Sequence, residues 1–195
     1  MIPWYDERVN EFRKGEEAMS ELEVRVVRLE PMRVAYALGF GEHPEVQAWT
    51  LILTWARPKG LLDGPPAHRF FGFNNPDPAP GSPNYGYEQW ITVGPEVQGD
   101  GEVRVKGFSG GLYAVTRCSL KVIGETWHRL VAWKEDSTCH WGNMPCLEEA
   151  LTPPAGVADI EARPLDEIIL DLYLPICPSH RPPMDHRRAE LANAK

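Results

Sequence analysis

Apolar residues along the chain fall into short runs separated by glycine and proline, and their spacing switches between two periods. Runs rich in Val, Tyr, Phe and Leu, several alternating with polar residues, predict strands at 23–27, 33–40, 69–73, 85–93, 102–108, 112–120 and 168–176. Two stretches instead place apolar side chains three and four apart. Val46, Trp49, Ile52, Leu53 and Ala56 predict one helix, and Ile123, Trp127, Leu130 and Val131 a second. Pro44 suits the first turn of the earlier helix, where the N–H it lacks would have no partner, and Pro58 with Gly60 ends it. A short amphipathic helix is expected through Tyr5, Val9 and Phe12 as far as Gly15. The helix-borne Trp49, Trp55, Trp127 and Trp133 are read as core.

The pattern repeats at an offset near 80 residues. Glu-Val-Arg-Val occurs at 23–26 and at 102–105, each time followed by a turn and an Ala-aromatic strand, then by a helix with two tryptophans six apart. Each half closes with an extended segment and a final strand, 87–93 in one and 170–176 in the other. The expected fold is α+β: duplicated β-α-β-β units about a pseudo-two-fold axis, with antiparallel sheets, helices on one side and a ligand cleft between the halves. Along the last strand Leu170, Leu172, Leu174 and Ile176 face the helix, which leaves Asp171 and Tyr173 on the other, open face. The repeat puts Glu88 and Trp90 at the same positions in the first half. Both halves thus offer an acid and a ring to the expected cleft.

Composition narrows the function. A chain of 195 residues that is 43% hydrophobic can bury one substantial core. The expected division is an N-terminal arm at 1–21, one domain at 22–176 made of repeats 22–95 and 101–176, and a flexible tail at 177–195. Net charge is −8, the wrong sign for a nucleic-acid backbone. The longest uncharged apolar run, 48–56, is about half the ~20 residues that a bilayer-spanning helix needs. The start lacks a basic segment followed by an apolar one, so a cytoplasmic location is expected. Cys118, Cys139, Cys146 and Cys177 lack paired metal-ligand spacing, the six histidines are scattered, and no metal or cofactor is expected. No nucleophile elbow, phosphate loop or helix-borne His pair occurs. The proline-rich stretch at 76–83 reads equally as a connector and as a lid over the cleft.

Taken in order, Gly-Gly-Leu-Tyr-Ala-Val at 110–115, the Trp-x-x-Leu-x-x-Trp helix at 127–133, Pro-Cys-Leu-Glu-Glu at 145–149 and Leu-Tyr-Leu-Pro-Ile at 172–176 resemble the GyrI-like effector-binding family. The likeness runs from about Leu22 to Ile176 and points to a stand-alone member of a family also found as the ligand-sensing half of AraC- and MerR-type regulators. It implies SHS2-like repeats and an aromatic pocket between them, with an acid that attracts hydrophobic, cationic, multidrug-type compounds. The family's acidic positions fall on Glu88 and Glu148, and the pocket walls on Tyr36, Trp90, Tyr113, Trp141 and Tyr173, with Asp171 added from the internal repeat. One departure from the family pattern is that Glu149 and Ala150 follow Glu148 where an aromatic residue is usual. The family also implies two alternatives: hydrolysis of electrophilic small molecules in the same pocket, and a protein-interaction role such as gyrase inhibition.

Overall fold

The structure is a computed structural model and describes residues 22–63 and 68–178. The expected N-terminal helix and almost all of the tail lie outside the described residues. Nine strands and two helices follow in chain order: β1 Arg25–Leu29, β2 Met32–Gly41, α1 Pro44–Ala56, β3 Phe70–Asn74, β4 Tyr85–Thr92, β5 Arg104–Phe108, β6 Gly111–Ser119, α2 Ile123–Asp136, β7 His140–Trp141, β8 Leu147–Ala150 and β9 Ile169–Cys177. Each predicted strand is present, and so are the two predicted helices that fall within the described residues. The second half's extended segment is β8, and the two-residue β7 pairs only with β9.

Pro44 opens α1, and the helix stops at a 3-10 turn, Arg57–Lys59, followed by Gly60 with φ of +68°, a left-handed conformation that glycine adopts without a Cβ penalty. The helix lies close to β2 because that strand turns Ala35, Ala37 and Gly39 toward it. A Cβ on Gly39 would stand 2.0 Å from the Pro44 carbonyl oxygen.

All strand pairs are antiparallel, in the order β1-β6-β9-β8-β3-β4-β2-β5. The order reads the same from either end when β1, β2, β3 and β4 are exchanged for β5, β6, β8 and β9. The registers obey the same exchange. Arg25 lies opposite Val115 as Arg104 lies opposite Tyr36, and Phe71 lies opposite Trp90 as Leu147 lies opposite Tyr173. By that equivalence Gly72 corresponds to Glu148, and these two residues are themselves paired across β3 and β8. The pseudo-two-fold axis therefore passes through the Gly72–Glu148 pair, at the centre of the sheet.

The sheet has a core on each face. On one face α1 covers Ala35, Ala37 and Ile91 with Ile52 and Leu53, and α2 covers Ala114, Leu172 and Leu174 with Leu130. The leucines of β9 do face the helix. The other face is not open. The sheet curls into a half-barrel around Val34, Phe71, Trp90, Phe108, Tyr113, Val115, Leu147 and Tyr173, all buried. Each fully buried side chain of this size contributes about 1.5–3 kcal/mol, and the curl is what removes them from water. No helix among the described residues is long and apolar enough to cross a membrane.

Candidate functional site

Six of the eight expected site residues lie on the curled face, where their chemistry is already engaged. Glu88 accepts hydrogen bonds from Asn75 Nδ2 at 2.9 Å, from the Trp90 indole N–H and from Lys106 Nζ. The Lys106 ammonium lies over Tyr36 at 4.4 Å, Trp90 at 4.8 Å and Phe73 at 6.0 Å. A carboxylate in an aromatic cage is thus present where alternation puts it, but the chain supplies the cation. In the second half Asp171 is clamped by Arg25 and, at 2.9 Å, by Arg117. Tyr173 donates to Glu149 at 2.5 Å, and Glu149 is held through two contacts, at 2.6 and 2.8 Å, by Arg69. Tyr113 is fully buried, edge-on to Tyr173 with ring centroids 5.7 Å apart. The expectation that these residues share an open cleft gives way here, because the sheet's curl shuts that face and internal cations neutralise its acids.

The cavity is on the helix side. It has a volume of about 820 Å³, lies between α1 and α2, and is floored by β4, β3 and β8. Glu148 and Trp141, the other two expected residues, line it, and so do Asp77 and Pro78 of the proline-rich loop. Residues left out of the sequence reading complete the site. Trp49 and Trp127, placed in the core on helical spacing, are equivalent under the repeat and line the cavity from opposite helices. Tyr85, Tyr87 and Gln89 reach it from one face of β4. The signal that locates them is the same alternation that placed Glu88, taken for the opposite face.

Glu148 is the centre of the site. Its carboxylate accepts from the Tyr87 hydroxyl at 2.8 Å and from the Trp127 indole N–H at 3.2 Å. Both donors are neutral. Desolvation pushes the Glu148 pKa up and the charge of Glu45 adds to this, while the hydrogen bonds from Tyr87 and Trp127 oppose it. Burial, followed by the Glu148 charge, holds Tyr87 well above the ordinary phenol value, so it remains a donor. Gly72 makes this geometry possible. A Cβ there would stand 2.1 Å from the Tyr87 hydroxyl oxygen, so the half of the axis pair that lacks a side chain is filled by the tyrosine that orients the half that has one. A second carboxylate, Glu45 of α1, accepts from the Tyr85 hydroxyl at 2.5 Å. Cys146 also lines the cavity, with its thiol pushed up to about 12 by burial, which leaves it protonated and unreactive at neutral pH.

The sheet's four buried or cavity-facing acids divide sharply. Glu88, Glu149 and Asp171 each have a lysine or arginine partner, whereas Glu148 has none among the described residues.

A family model described as the GyrI-like small molecule binding domain matches residues 22–176. Among solved structures, the EcmrR C-terminal domain superposes with a TM-score of 0.58 at 12% identity, covering 80% of this chain and 98% of that one. EcmrR in its DNA complex superposes with a TM-score of 0.59 at 10% identity; the match takes in 80% of this chain but only 57% of that longer one. A Listeria innocua protein described as a hydrolase gives a TM-score of 0.56 at 9% identity, with coverage of 80% and 93%. At these identities the likeness is one of fold. No curated protein matches the chain significantly.

Proposed function

The chain belongs to the GyrI-like small molecule binding domain family, and from that premise we propose that it binds lipophilic cations in the cavity between α1 and α2. Glu148 is the countercharge, Trp49, Trp127 and Tyr87 are the walls, and residues 22–176 act as one unit whose two repeats meet at the site. The observation that carries this reading is that Glu148 has no basic partner among the described residues. A carboxylate surrounded by protein and stabilised only by neutral donors gains most from a ligand that brings its own positive charge. The rings add about 0.5–2 kcal/mol for each cation–π contact. A few such contacts around one desolvated ion pair suffice for micromolar binding, about −8 kcal/mol, without close shape fit.

The test is a tryptophan-fluorescence titration with tetraphenylphosphonium and tetraphenylborate, which share shape and size and differ in charge. Saturable binding of the cation alone, weakened at least tenfold in Glu148→Gln, is the expected result. Equal binding of both ions, or a cation affinity unchanged by Glu148→Gln, refutes the reading.

A second reading, hydrolysis of an electrophilic ligand, draws on one observation: a carboxylate of raised proton affinity shares a hydrogen bond with a tyrosine inside the cavity. That pairing suits water activation and proton return. Mass spectrometry of ligands recovered from the protein separates the two readings, since hydrolysis leaves a product heavier by one water or cleaved by it.

A further inference from the structure

The polar side chains that β4 turns into the cavity have their donors engaged. Along one face of β4 three positions follow at i, i+2 and i+4: Tyr85, Tyr87 and Gln89. The two tyrosines spend their hydroxyl protons on two different carboxylates, Glu45 at 2.5 Å and Glu148 at 2.8 Å. Gln89 is fixed by its amide N–H groups, which donate to the carbonyls of Phe71 at 2.9 Å and Trp90 at 3.2 Å. Those two acceptors settle which end of the amide is which, because an oxygen turned toward them would be repelled. The Gln89 oxygen is left without a partner in a residue only 1% exposed. That oxygen is shut off from the cavity and both N–H groups are engaged, so Gln89 offers a ligand no donor. On this face of β4 every side-chain donor is thus engaged, and the groups that face a ligand are the two carboxylates the tyrosines hold.

Charge points the same way. Glu45, Asp77, Glu148 and Asp159 line the cavity, and Arg163 is the one basic residue lining it among those described, 3.7 Å from Asp159. One bound positive charge leaves the cavity acidic. Glu45 and Glu148 are held by tyrosines whose Cα atoms are about 7 Å apart, two residues along a strand. Neither carboxylate has a basic partner among the described residues.

Resting on the cation-binding reading above, we propose that the cavity is built for dications bearing N–H donors, such as diamines or bis-amidines on a flat apolar scaffold. One charged end meets Glu148 and the other meets Glu45 as the ligand settles against β4. Glu45 is then the residue that sets specificity between singly and doubly charged ligands. Tyr85 and Tyr87 keep the two carboxylates apart at the spacing of the ligand's charges. The aromatic walls accept the scaffold in either case.

The test uses 1,4-bis(aminomethyl)benzene and 4-methylbenzylamine, which share a ring and differ by one ammonium. Tryptophan fluorescence reports affinity for the wild type, Glu45→Gln and Glu148→Gln, all three of which keep an acceptor for the tyrosine hydroxyls. The dication is expected to bind the wild type at least tenfold more tightly, although the monocation is the more lipophilic. Glu45→Gln is expected to weaken the dication tenfold or more and the monocation less than threefold, and Glu148→Gln to weaken both. The proposal is overturned if the wild type binds the monocation equally well or better, or if Glu45→Gln weakens the two ligands by the same factor. If neither amine binds, or if Glu148→Gln changes nothing, the cation-site reading falls with it. A measurement on the wild type alone guards against a misfolded variant. Affinity for the dication should fall with added salt about twice as steeply as that for the monocation, and equal slopes would overturn the two-charge contact.

Discussion

Gly72→Ala is a small change aimed at the centre of the site. The added Cβ would lie 2.1 Å from the Tyr87 hydroxyl oxygen, 2.5 Å from Cζ and 2.6 Å from Cε1, where ordinary contacts are 3.4–4 Å. The obstacle is the ring of a residue only 7% exposed, not the free end of a flexible chain, so the ring must shift by about an ångström or more. Overpacking of this kind costs about 1–3 kcal/mol. The shift also breaks the Tyr87 hydrogen bond to Glu148, at about 1.5–3 kcal/mol for a bond to a charged group. The loss of unfolded-chain entropy on replacing Gly by Ala returns about 0.4–1 kcal/mol. The net expectation is a destabilisation of about 1.5–5.5 kcal/mol, which in a chain of this size lowers Tm by about 3–20 °C. Gly107→Ala is the control, because its Cβ meets nothing within 4 Å and its backbone is ordinary strand. It should leave Tm unchanged or raise it slightly. Thermal and denaturant unfolding followed by circular dichroism, with cation titration alongside, measures both variants. If Gly72→Ala melts within about 2 °C of the wild type and binds cations equally well, Tyr87 does not lie over Gly72 and the axis account of the site is wrong.

Glu148→Gln should abolish the pH dependence of cation binding. In the wild type, affinity climbs as pH rises through the elevated Glu148 pKa and then levels, because only the ionised carboxylate pairs with the ligand. The same elevation means that the folded protein holds the Glu148 proton more tightly than the unfolded chain does. Stability is therefore lost as pH rises from the ordinary glutamate value of 4.5 to the raised one, and Glu148→Gln should melt higher than the wild type at pH 8 but not at pH 4. Lys106→Met leaves Glu88, only 3% exposed, without its cation. Since the lysine is itself partly solvated, the expected cost is about 1–3 kcal/mol, smaller than for a fully buried pair, and Glu88→Gln in the same chain should recover most of it. A double-mutant cycle by urea unfolding gives the coupling, and additive effects would show that the cage does not hold Glu88. Trp127→Phe removes one donor to Glu148 but keeps the wall, so cation affinity should change by less than tenfold while the pH profile moves upward; an unmoved profile would argue against the indole bond.

Seven of the nine described strands, the two central helices, the repeat and the grouping of residues by face were legible in the chain, whereas β7 and β8, the strand that carries Glu148, were not among the predicted strands. Period-two alternation is a local consequence of strand geometry, so it correctly grouped Glu88 with Trp90 and Asp171 with Tyr173, and it turned the β9 leucines toward α2. The duplicated Glu-Val-Arg-Val and tryptophan spacings foretold a pseudo-two-fold that the strand order and registers carry through to single residues. Alternation is silent on which face stays open. That depends on how the sheet curls and on which distant cations reach which acids: Lys106 to Glu88, Arg69 to Glu149, Arg25 and Arg117 to Asp171. None of these pairs is close in the chain, so no local pattern marks them. Helical spacing classed Trp49 and Trp127 as core, and both do pack against it, but spacing does not report that the same rings also border a cavity. Only the tertiary structure places Gly72 opposite Glu148 on the axis, lays Tyr87 over the glycine, and leaves one acid of the sheet facing the cavity with no counterion among the described residues.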